Sequence, residues 1–329
     1  MKTNSHIQSG SDSAAVLAHD DAWRVLLAAA RETSALGAAG EPGVFGLGAA
    51  GRLVRLPDEH PSALVAWEPE RGWRPHVQSS DSRHALIDLY LPLCNATAAQ
   101  PLTVAHLGQS LDGFIATSDG ESRWITGPEN LRHMHRLRAL ADAVVVGAGT
   151  VAADDPQLTT RLVPGRSPLR VIYDPLRRLG THFRVFTDTA AETIYVCGRS
   201  RVDPKERQVG RAHILALDDQ AGHADLAGLL DALWARGCHL VFVEGGGVTV
   251  SAFLKANLLN RLHLTVAPFV IGDGRPAIRV PGPSALSGCH RPPYRVFRMG
   301  SDVLFDCDLS NGSTLSVESP SSGTLSRII

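Results

Sequence analysis

The sequence predicts an α/β protein with three layers, in which a mostly parallel sheet ends in an antiparallel C-terminal edge. Short apolar runs such as 143–147 and 239–243 are bounded by glycine and are too short for buried helices, which favours buried strands. A long apolar run at 261–271 comes late in the chain and is followed by a further strand pattern, which indicates an antiparallel edge. Together these patterns predict strands near 102–107, 143–147, 169–174, 193–197, 213–217, 239–243, 261–271 and 302–308.

Helical patterns alternate with these strands near 129–141, 224–236 and 248–258. Pro128 is suited to the first turn of the first helix, because its missing N–H would be unpaired there in any case. Gly237 occupies the position just after the second helix, where a left-handed residue commonly ends a helix. The alternation of strands and helices is typical of a parallel sheet with crossover connections.

The domain organisation follows from length and composition. With 329 residues, of which 44% are hydrophobic, the chain can build one large and one small core. We expect a disordered N-terminus over residues 1–18, a small α+β region over 19–100, the main domain over 101–309 and a disordered tail over 310–329. The tail is rich in Ser, Thr and Gly, a composition that disfavours a packed core.

Several classes of function are excluded by composition. The chain carries 32 basic and 33 acidic residues, so no charged surface for nucleic acid or a membrane is expected. No apolar run is long enough to span a bilayer. Scattered cysteines without metal-ligand spacing indicate a reducing cytoplasm and no bound metal. They are Cys94, Cys197, Cys238, Cys289 and Cys307.

Two strand-to-helix junctions are rich in glycine. After the strand at 143–147 come Gly147, Gly149 and Thr150, which offer close backbone approach, helix N–H groups and a hydroxyl to a phosphate. After the strand at 239–243 come Glu244 and the three glycines Gly245, Gly246 and Gly247, which leave amide groups open to an anion. Two such junctions in one sheet suit a dinucleotide. Tight turns that only permit close packing are the alternative for both.

Five sequence blocks resemble the C-terminal reductase domain of the bifunctional riboflavin-biosynthesis deaminase-reductases. The blocks are SLDG at 110–113, GESxWITG at 120–127, RLR at 136–138, VGAGTVxxDDPxLTxR at 146–161 and VEGG at 243–246. They follow the order and spacing of that family, and the segment that resembles it runs from about 102 to 309. The resemblance implies a dihydrofolate-reductase-like fold, a homodimer, and NADPH-dependent reduction of a ribosylaminopyrimidine 5′-phosphate to the ribityl compound.

The resemblance also implies roles for individual residues. Cofactor-binding positions are Gly108, Trp124, Thr150, Asp154 and the glycines at 245–247. Substrate-binding positions are Ser122, Arg138, Leu158, Arg161 and Glu244. The two arginines fit this division chemically, because a sugar phosphate needs fixed cations with forked donors. A solvated helix face for Arg138, a loop charge for Arg161 and a core position for Trp124 are the alternatives.

Three residues are candidates for catalysis: His106, Asp112 and Glu244. The family usually has Lys where His106 stands, so a permanent cation is replaced by a side chain whose ordinary pKa is about 6.5. His106 could orient a ribose hydroxyl or donate a proton, and a buried neutral histidine without a role is the alternative. The replacement argues for altered specificity more than for lost chemistry, since hydride transfer depends mainly on the cofactor.

The choice of cofactor is predicted from the strand at 169–174. Asp174 ends this strand and Arg177 and Arg178 follow it. Two guanidinium groups beyond a strand end could pair with a 2′-phosphate, which favours NADPH and makes Arg177 a candidate cofactor ligand. A solvated turn is the alternative.

The region before residue 101 lacks the His-x-Glu and Pro-Cys-x-x-Cys pairs of a zinc deaminase. Its pattern predicts a helix over 20–36, short strands over 43–67 and a second helix over 81–93. We interpret it as an interaction or scaffold module, with a substrate-gating element as the alternative.

The function predicted for the whole chain is NADPH-dependent reduction of 5-amino-6-(5-phosphoribosylamino)uracil or a close relative. Two alternatives stay open. One is a reductase of the same fold for another pyrimidine-like substrate, and the other is a non-catalytic nucleotide-binding regulatory protein.

Overall fold

The computed structural model describes residues 8–220 and 223–310. The chain divides into two compact units, at residues 1–100 and 101–329. No helix in these described ranges has the length and apolar character needed to cross a membrane. The N-terminal unit contains α1 (Gln8–Ala39), β1 (Gly43–Leu47), β2 (Leu53–Leu56), β3 (Val65–Glu68), β4 (Gly72–Pro75) and α2 (His84–Tyr90), with 3₁₀ turns at Ala49–Gly51 and Leu91–Asn95.

The N-terminal unit is α+β, as the sequence predicts. Its four strands form an antiparallel sheet in the order β2-β1-β3-β4. Aromatic rings fill its core, where Trp73 meets Trp67 edge-on at 5.3 Å and Phe45 at 5.6 Å between ring centroids. The indole N–H of Trp73 donates to the buried Thr33 hydroxyl at 2.8 Å, so the polar end of the ring is satisfied inside the core.

Two expectations for this unit need correction. The first helix includes residues 8–19 as well as the predicted 20–36, so residues 8–18 are helical where disorder was expected. The second helix is shorter than 81–93, because the chain tightens into the 3₁₀ turn at Leu91, where Pro92 follows. Residues 1–7 and 311–329 lie outside the described residues.

The C-terminal unit is built on one large mixed sheet. In the described part of the chain its strand order is β10-β11-β9-β8-β7-β14-β5-β15-β18-β17. The strands are β5 (Leu102–Ser110), β6 (Phe114–Thr117), β7 (Ala143–Gly147), β8 (Leu169–Tyr173), β9 (Thr193–Gly198), β10 (Gln208–Val209), β11 (Ala212–Leu217), β12 (Asp219–Gln220), β13 (His223–Ala224), β14 (Leu240–Gly245), β15 (Arg261–Ala267), β16 (Gly274–Pro276), β17 (Tyr294–Met299) and β18 (Asp302–Asp308). The helices are α3 (Pro128–Leu140), α4 (Ala148–Asp154), α5 (Arg184–Thr187), α6 (Leu226–Trp234) and α7 (Gly247–Lys255).

Helices cover both faces of this sheet, which confirms the three-layer prediction. Val145 and Val243 belong to one buried cluster with Leu233 of α6 and Phe253 of α7. His106 lies on the opposite face of its strand from Ala105 and hydrogen-bonds with Asn130 of α3. β7 is buried along its whole length, as expected for a parallel strand covered on both sides.

The helix boundaries follow the predicted signals closely. Pro128 is the first residue of α3, and Gly237 has the positive φ of +81° expected after a helix end. Asp225 caps α6 by accepting from the amide of Ala227 at 3.0 Å. The antiparallel edge is also confirmed, since β15 pairs antiparallel with β18 and β18 with β17.

The strand predicted over 261–271 ends at Ala267. Pro268 follows and cannot donate to the ladder, which is the physical reason for the earlier end. The chain then turns and returns as β16, which pairs antiparallel with β6 in a small separate sheet that the sequence patterns did not predict.

A buried charge cluster joins the strands of the antiparallel edge. Asp306 is fully buried and accepts from Arg261 Nη2 at 2.7 Å and from Arg295 Nε at 3.1 Å. Nε2 of His263 lies 3.3 Å from Asp306 Oδ1. Burial alone would raise the pKa of Asp306, but the His263 contact and the two guanidinium charges hold that pKa well below its usual range.

We expect Asp306→Asn to lower the free energy of unfolding by about 3 kcal/mol, because two guanidinium groups would lose their buried counter-charge. Urea unfolding followed by circular dichroism measures this loss. Asp308→Asn is the matched control: its side chain is 38% exposed and lies 3.5 Å from Arg261. The control should change stability by less than about 1 kcal/mol. Equal losses in the two variants would contradict the importance given to the buried cluster.

Candidate active site

The candidate site lies where the parallel strands β7, β14 and β5 end side by side. β14 lies between the other two, and Val243 pairs with Val145 on one side and Ala105 on the other. The segments that follow these residues therefore emerge at the same edge of the sheet. This edge is where open α/β sheets bind ligands.

The first glycine junction serves two purposes. A Cβ on Gly147 would stand 2.2 Å from Thr249 Oγ1, so this glycine permits close packing against α7. A Cβ on Gly149 would have no neighbour within 4 Å, so the backbone at Gly149 borders open space. Gly149 therefore matches the predicted approach to a ligand, whereas Gly147 is explained by packing.

The second junction is tied to the first. The amide of Gly246 donates to Thr150 Oγ1 at 2.8 Å. Gly245 has φ +111°, a conformation that only glycine adopts readily. A Cβ on Gly247 would stand 2.2 Å from the carbonyl oxygen of Ala277, so Gly247 also permits close packing. Among these glycines, Gly149 has no neighbour at its Cβ position, whereas the amide of Gly246 is already bound to Thr150.

A buried ion pair stands at the centre of the site. Arg138 of α3 donates from Nε to Glu244 Oε2 at 2.7 Å and from Nη2 to Oε1. Its Nη1 donates to the carbonyl of Thr159 at 3.1 Å. The side chains of Arg138 and Glu244 are only 8% and 10% exposed. The sequence predicted separate substrate contacts for both residues. Protein partners use three of the five N–H donors of this guanidinium, and its predicted contact with a substrate phosphate stays a prediction.

Arg161 lies beside this pair with donors to spare. Its Nη1 donates to Thr159 Oγ1 at 2.6 Å, and its backbone amide donates to Nδ1 of His135 at 2.9 Å. Nε and Nη2 have no hydrogen-bond partner among the residues that the structure describes. Desolvation and the charge of Arg138 lower the pKa of Arg161. A cation in this position favours an anionic ligand, in agreement with the predicted contact to phosphate.

A second set of charges surrounds Asp154 at the end of α4. Desolvation raises the pKa of Asp154, with a further rise from Glu244, while Arg123 and Arg275 act in the opposite direction. Arg275 packs against the 118–127 loop. Its Nη2 lies 2.5 Å from the position that a Cβ on Gly120 would take. This contact brings the loop towards Asp154.

The same loop carries Ser122 and Trp124. Ser122 is half-buried, and Trp124 is 86% exposed with φ +69°. The alternative of Trp124 as a core residue is therefore wrong. The apolar face of this indole is therefore open to solvent.

The prediction of His106 as a proton donor is corrected. His106 is 2% exposed, and its Nε2 lies 3.0 Å from Asn130 Oδ1 and 3.2 Å from Thr265 Oγ1. Burial, with a smaller contribution from His263, lowers the pKa of His106 to about 3. The ring is therefore neutral near pH 7 and has no exposed face from which to deliver a proton.

Asp112 was also a candidate for catalysis, and the structure gives it a structural task. It accepts from the Ser110 hydroxyl and from the amides of Ile271 at 3.1 Å and Gly272 at 2.7 Å. The Ser110 hydrogen bond, with the two amides, lowers the pKa of Asp112 to about 2. Asp112 thus holds the turn after β15 against the end of β5.

Burial and pairing describe two further predicted site residues. The Leu158 side chain is fully buried, and its predicted contact with a substrate stays a prediction. Arg177 donates from Nη1 to Glu206 at 2.6 Å and from Nη2 to the same carboxylate. The Arg177 guanidinium is therefore paired with the Glu206 carboxylate. The side chain of the neighbouring Arg178 is 66% exposed, and its Nε lies 3.8 Å from Asp174.

Sequence reasoning missed a group of polar residues on the face of the sheet beneath α3. Asn130 and His133 of α3 and His263 of β15 are buried there, next to His106. The spacing in the sequence could have indicated this group. Asn130 and His133 lie three residues apart, so they share a face of the helix with Leu137. Within residues 8–220 and 223–310, no group of His, Cys, Asp and Glu is arranged to hold a metal ion.

The fold and the site define an α/β protein with a large mostly parallel sheet, in which glycine-rich strand ends and the side chains of Arg138, Glu244 and Arg161 lie at one edge. The chain belongs to the RibD C-terminal domain family, which it matches over residues 101–304.

Similar proteins agree with this assignment. The chain is 33% identical over 216 residues to the 2,5-diamino-6-ribosylamino-4(3H)-pyrimidinone 5′-phosphate reductase of Methanothermobacter thermautotrophicus, covering 63% of this chain and 97% of that protein. It is 33% identical over 179 residues to the riboflavin biosynthesis protein RibD of Aquifex aeolicus, covering 54% of this chain and 49% of RibD. The chain thus spans about half the length of this RibD relative.

A solved structure shares the fold. The Thermotoga maritima diaminohydroxyphosphoribosylaminopyrimidine deaminase/5-amino-6-(5-phosphoribosylamino)uracil reductase superimposes with a TM-score of 0.52 at 30% identity. The match covers 64% of this chain and 57% of that chain.

Buried neutral histidines predict a loss of stability in mild acid. Burial is the largest cause that lowers the pKa of His106 to about 3, of His135 to about 4, and of His133 well below its usual range. In the unfolded chain these three histidines take up protons near pH 6.5, whereas in the folded chain they do so only near pH 4 and below. Stability is therefore full above pH 6.5 and falls as the pH drops towards 4, by up to about 4 kcal/mol per pH unit for three protons.

Urea midpoints measured from pH 7.5 to 5 test this slope. His106→Gln should reduce the slope by about one third, since it removes one of three protons. His290→Gln, at an exposed position, should leave the slope as in the wild type. A slope that His106→Gln does not change would contradict the neutral state assigned to this ring.

Proposed function

We propose that the chain is an NADPH-dependent reductase that converts a ribosylaminopyrimidine 5′-phosphate to the ribitylamino compound in riboflavin biosynthesis. One observation carries the proposal: Arg161, with unpaired donors, lies beside the Arg138–Glu244 pair at the edge of the sheet that also has the open backbone of Gly149. This edge thus combines a cation for a phosphate, a fixed carboxylate for sugar hydroxyls and, at Gly149, an open backbone for a nucleotide phosphate. The reductase names of the relatives support the same reaction.

The residues present fit a nicotinamide dinucleotide. Open space at Gly149 and the hydroxyl of Thr150 suit its phosphates, and Asp154 and Gly246 border the same crevice. For the 2′-phosphate that distinguishes NADPH, we assign Arg178 in place of Arg177, because Glu206 already neutralises Arg177.

The chain's own residues would position the substrate. Arg161 holds the phosphate, and the binding energy of this remote group orients the reacting carbon. Glu244, fixed by Arg138, accepts hydrogen bonds from the sugar hydroxyls. When bound, NADPH would supply the hydride that reduces the C1′=N imine of the opened ribose. His106 is buried and neutral, so the proton that the nitrogen gains would come from water.

A second candidate is a reductase of the same fold for another pyrimidine-like substrate. The observation in its favour is His106, a neutral side chain where the resemblance predicts a lysine. Assays with the 2,5-diaminopyrimidinone and with the deaminated 5-aminouracil compound, both as ribosylamino 5′-phosphates, separate the candidates. NADPH oxidation with either compound supports the riboflavin reaction, and NADPH binding without oxidation supports the second candidate. The proposal places the enzyme in the cytoplasm as a homodimer, and sedimentation of the purified protein tests its assembly.

NADPH should quench tryptophan fluorescence through Trp124, because this indole is 86% exposed beside the crevice. In Trp124→Phe we expect most of the quenching to disappear. Calorimetric titration should give a dissociation constant for this variant within about fivefold of the wild type, since Phe retains an aromatic face. Trp234→Phe is the control, because Trp234 is only partly exposed and lies in α6. Loss of quenching in that control instead would place the nucleotide elsewhere.

Replacement of Arg161 by Ala should raise KM for the pyrimidine phosphate roughly 30-fold, because one charge-assisted contact of about 2 kcal/mol is removed. The affinity for NADPH should stay near that of the wild type. Arg166→Ala, in the same loop with a side chain that is 65% exposed, is the matched control and should change KM little. Weakened NADPH binding with an unchanged KM would reassign Arg161 to the cofactor.

A further inference from the structure

A row of polar side chains crosses the sheet beneath α3. Strand register aligns His106 of β5 with His263 of β15, His263 with Asp306 of β18, and Asp306 with Arg295 of β17. His133 of α3 packs on this row, stacked on His263 and edge-on to His106, each at 5.1 Å between ring centroids. His106 is the end of the row that lies nearest to the candidate site.

The hydrogen bonds at this end have a fixed direction. Asn130 Oδ1 can only accept, so it receives hydrogen bonds from His106 Nε2 at 3.0 Å and from the Thr265 hydroxyl at 2.8 Å. His106 must therefore carry its proton on Nε2. The amide nitrogen of Asn130 donates in turn to Thr126 Oγ1 at 2.8 Å. Each residue orients the next one.

Thr126 is where this network reaches the site. Its oxygen accepts from Asn130, so its own proton remains available for donation to a ligand. Thr126 is half-buried, and its Cγ2 lies 2.7 Å from the place of a Cβ on Gly108, near the end of β5. The Thr126 side chain therefore covers the Gly108 backbone and holds its hydroxyl directly beside the strand end.

We propose that the Thr126 hydroxyl binds the carboxamide of the nicotinamide ring, and that His106, Asn130 and Thr265 are positioning residues that act through Thr126. The inference rests on the proposed function. Gly149, on the phosphate side, follows β7, and Gly108 lies two strands away on β5, about 10 Å across the sheet. Thr126 thus stands on the side of the crevice opposite to the phosphates, where the nicotinamide end of the dinucleotide would lie.

The first test compares two ligands. NADPH carries the nicotinamide, whereas adenosine 2′,5′-bisphosphate has only the adenosine end. Thr126→Val should weaken NADPH binding roughly tenfold, the effect of one hydrogen bond, and should lower kcat. It should leave bisphosphate binding within twofold of the wild type. Thr126→Ser keeps the hydroxyl and should restore most of both properties.

The second test addresses the positioning residues. His106→Gln can still donate an N–H to Asn130, whereas His106→Leu cannot. We expect His106→Leu to reproduce the selective loss of NADPH affinity and His106→Gln to remain near the wild type. Thr103→Val is the control on the same strand, because the Thr103 hydroxyl is buried and has no hydrogen-bond partner in the described part of the chain. Unchanged bisphosphate binding shows that each variant is folded.

The outcomes separate this inference from the proposed function. If Thr126→Val weakens both ligands equally, or neither, the inference is overturned. If the wild type binds NADPH but reduces neither pyrimidine, only the substrate assignment fails. The ratio of NADPH affinity to bisphosphate affinity in Thr126→Val then still tests the role of Thr126. If the wild type binds no NADPH, the cofactor assignment and the inference fail together.

Discussion

The candidate site depends on the ion pair between Arg138 and Glu244. Both charges are buried, so neither partner can be tolerated without the other, and the pair fixes α3 against the end of β14. Nη1 of Arg138 donates to the carbonyl of Thr159, which also accepts from Nη1 of Arg161. One buried pair therefore sets the positions of a helix, a strand end and a loop. It also leaves Arg161 as the cation whose charge a ligand can neutralise.

The glycines of the site divide into two physical groups. Gly147 and Gly247 lack side chains because Thr249 and the carbonyl of Ala277 occupy the space where a Cβ would stand. Gly149 faces open space and has no such packing reason. The distinction explains why the sequence pattern was ambiguous, since glycine at a strand-to-helix turn satisfies either requirement. Only the neighbours in space decide which one applies.

The sequence was sufficient for the large sheet because a strand such as β7 is apolar along its whole length and needs no partner to be recognised. The pairing of charges was not predictable in the same way. Arg138 and Glu244 are 106 residues apart, and the local pattern around Arg177 contains no sign of Glu206. The role of Asp112 was not predictable for the same reason. Its carboxylate oxygens accept hydrogen bonds from the amides of a distant turn, at Ile271 and Gly272. Residue type indicates what a side chain can bind, while the fold decides which partner reaches it first.

The neutral histidines have a consequence for the chemistry proposed at Gly108. A nicotinamide ring gains positive charge when it gives up a hydride, and a fixed cation beside it would oppose that change in a site of low dielectric constant. Burial keeps His106 uncharged, and the arginines of the antiparallel edge are neutralised by Asp306 at the far end of the row. The unpaired positive charge of Arg161 lies instead beside Glu244 and Arg138. The charge distribution thus places the cation of Arg161 where a phosphate would bind and leaves an uncharged imidazole at the His106 end of the row.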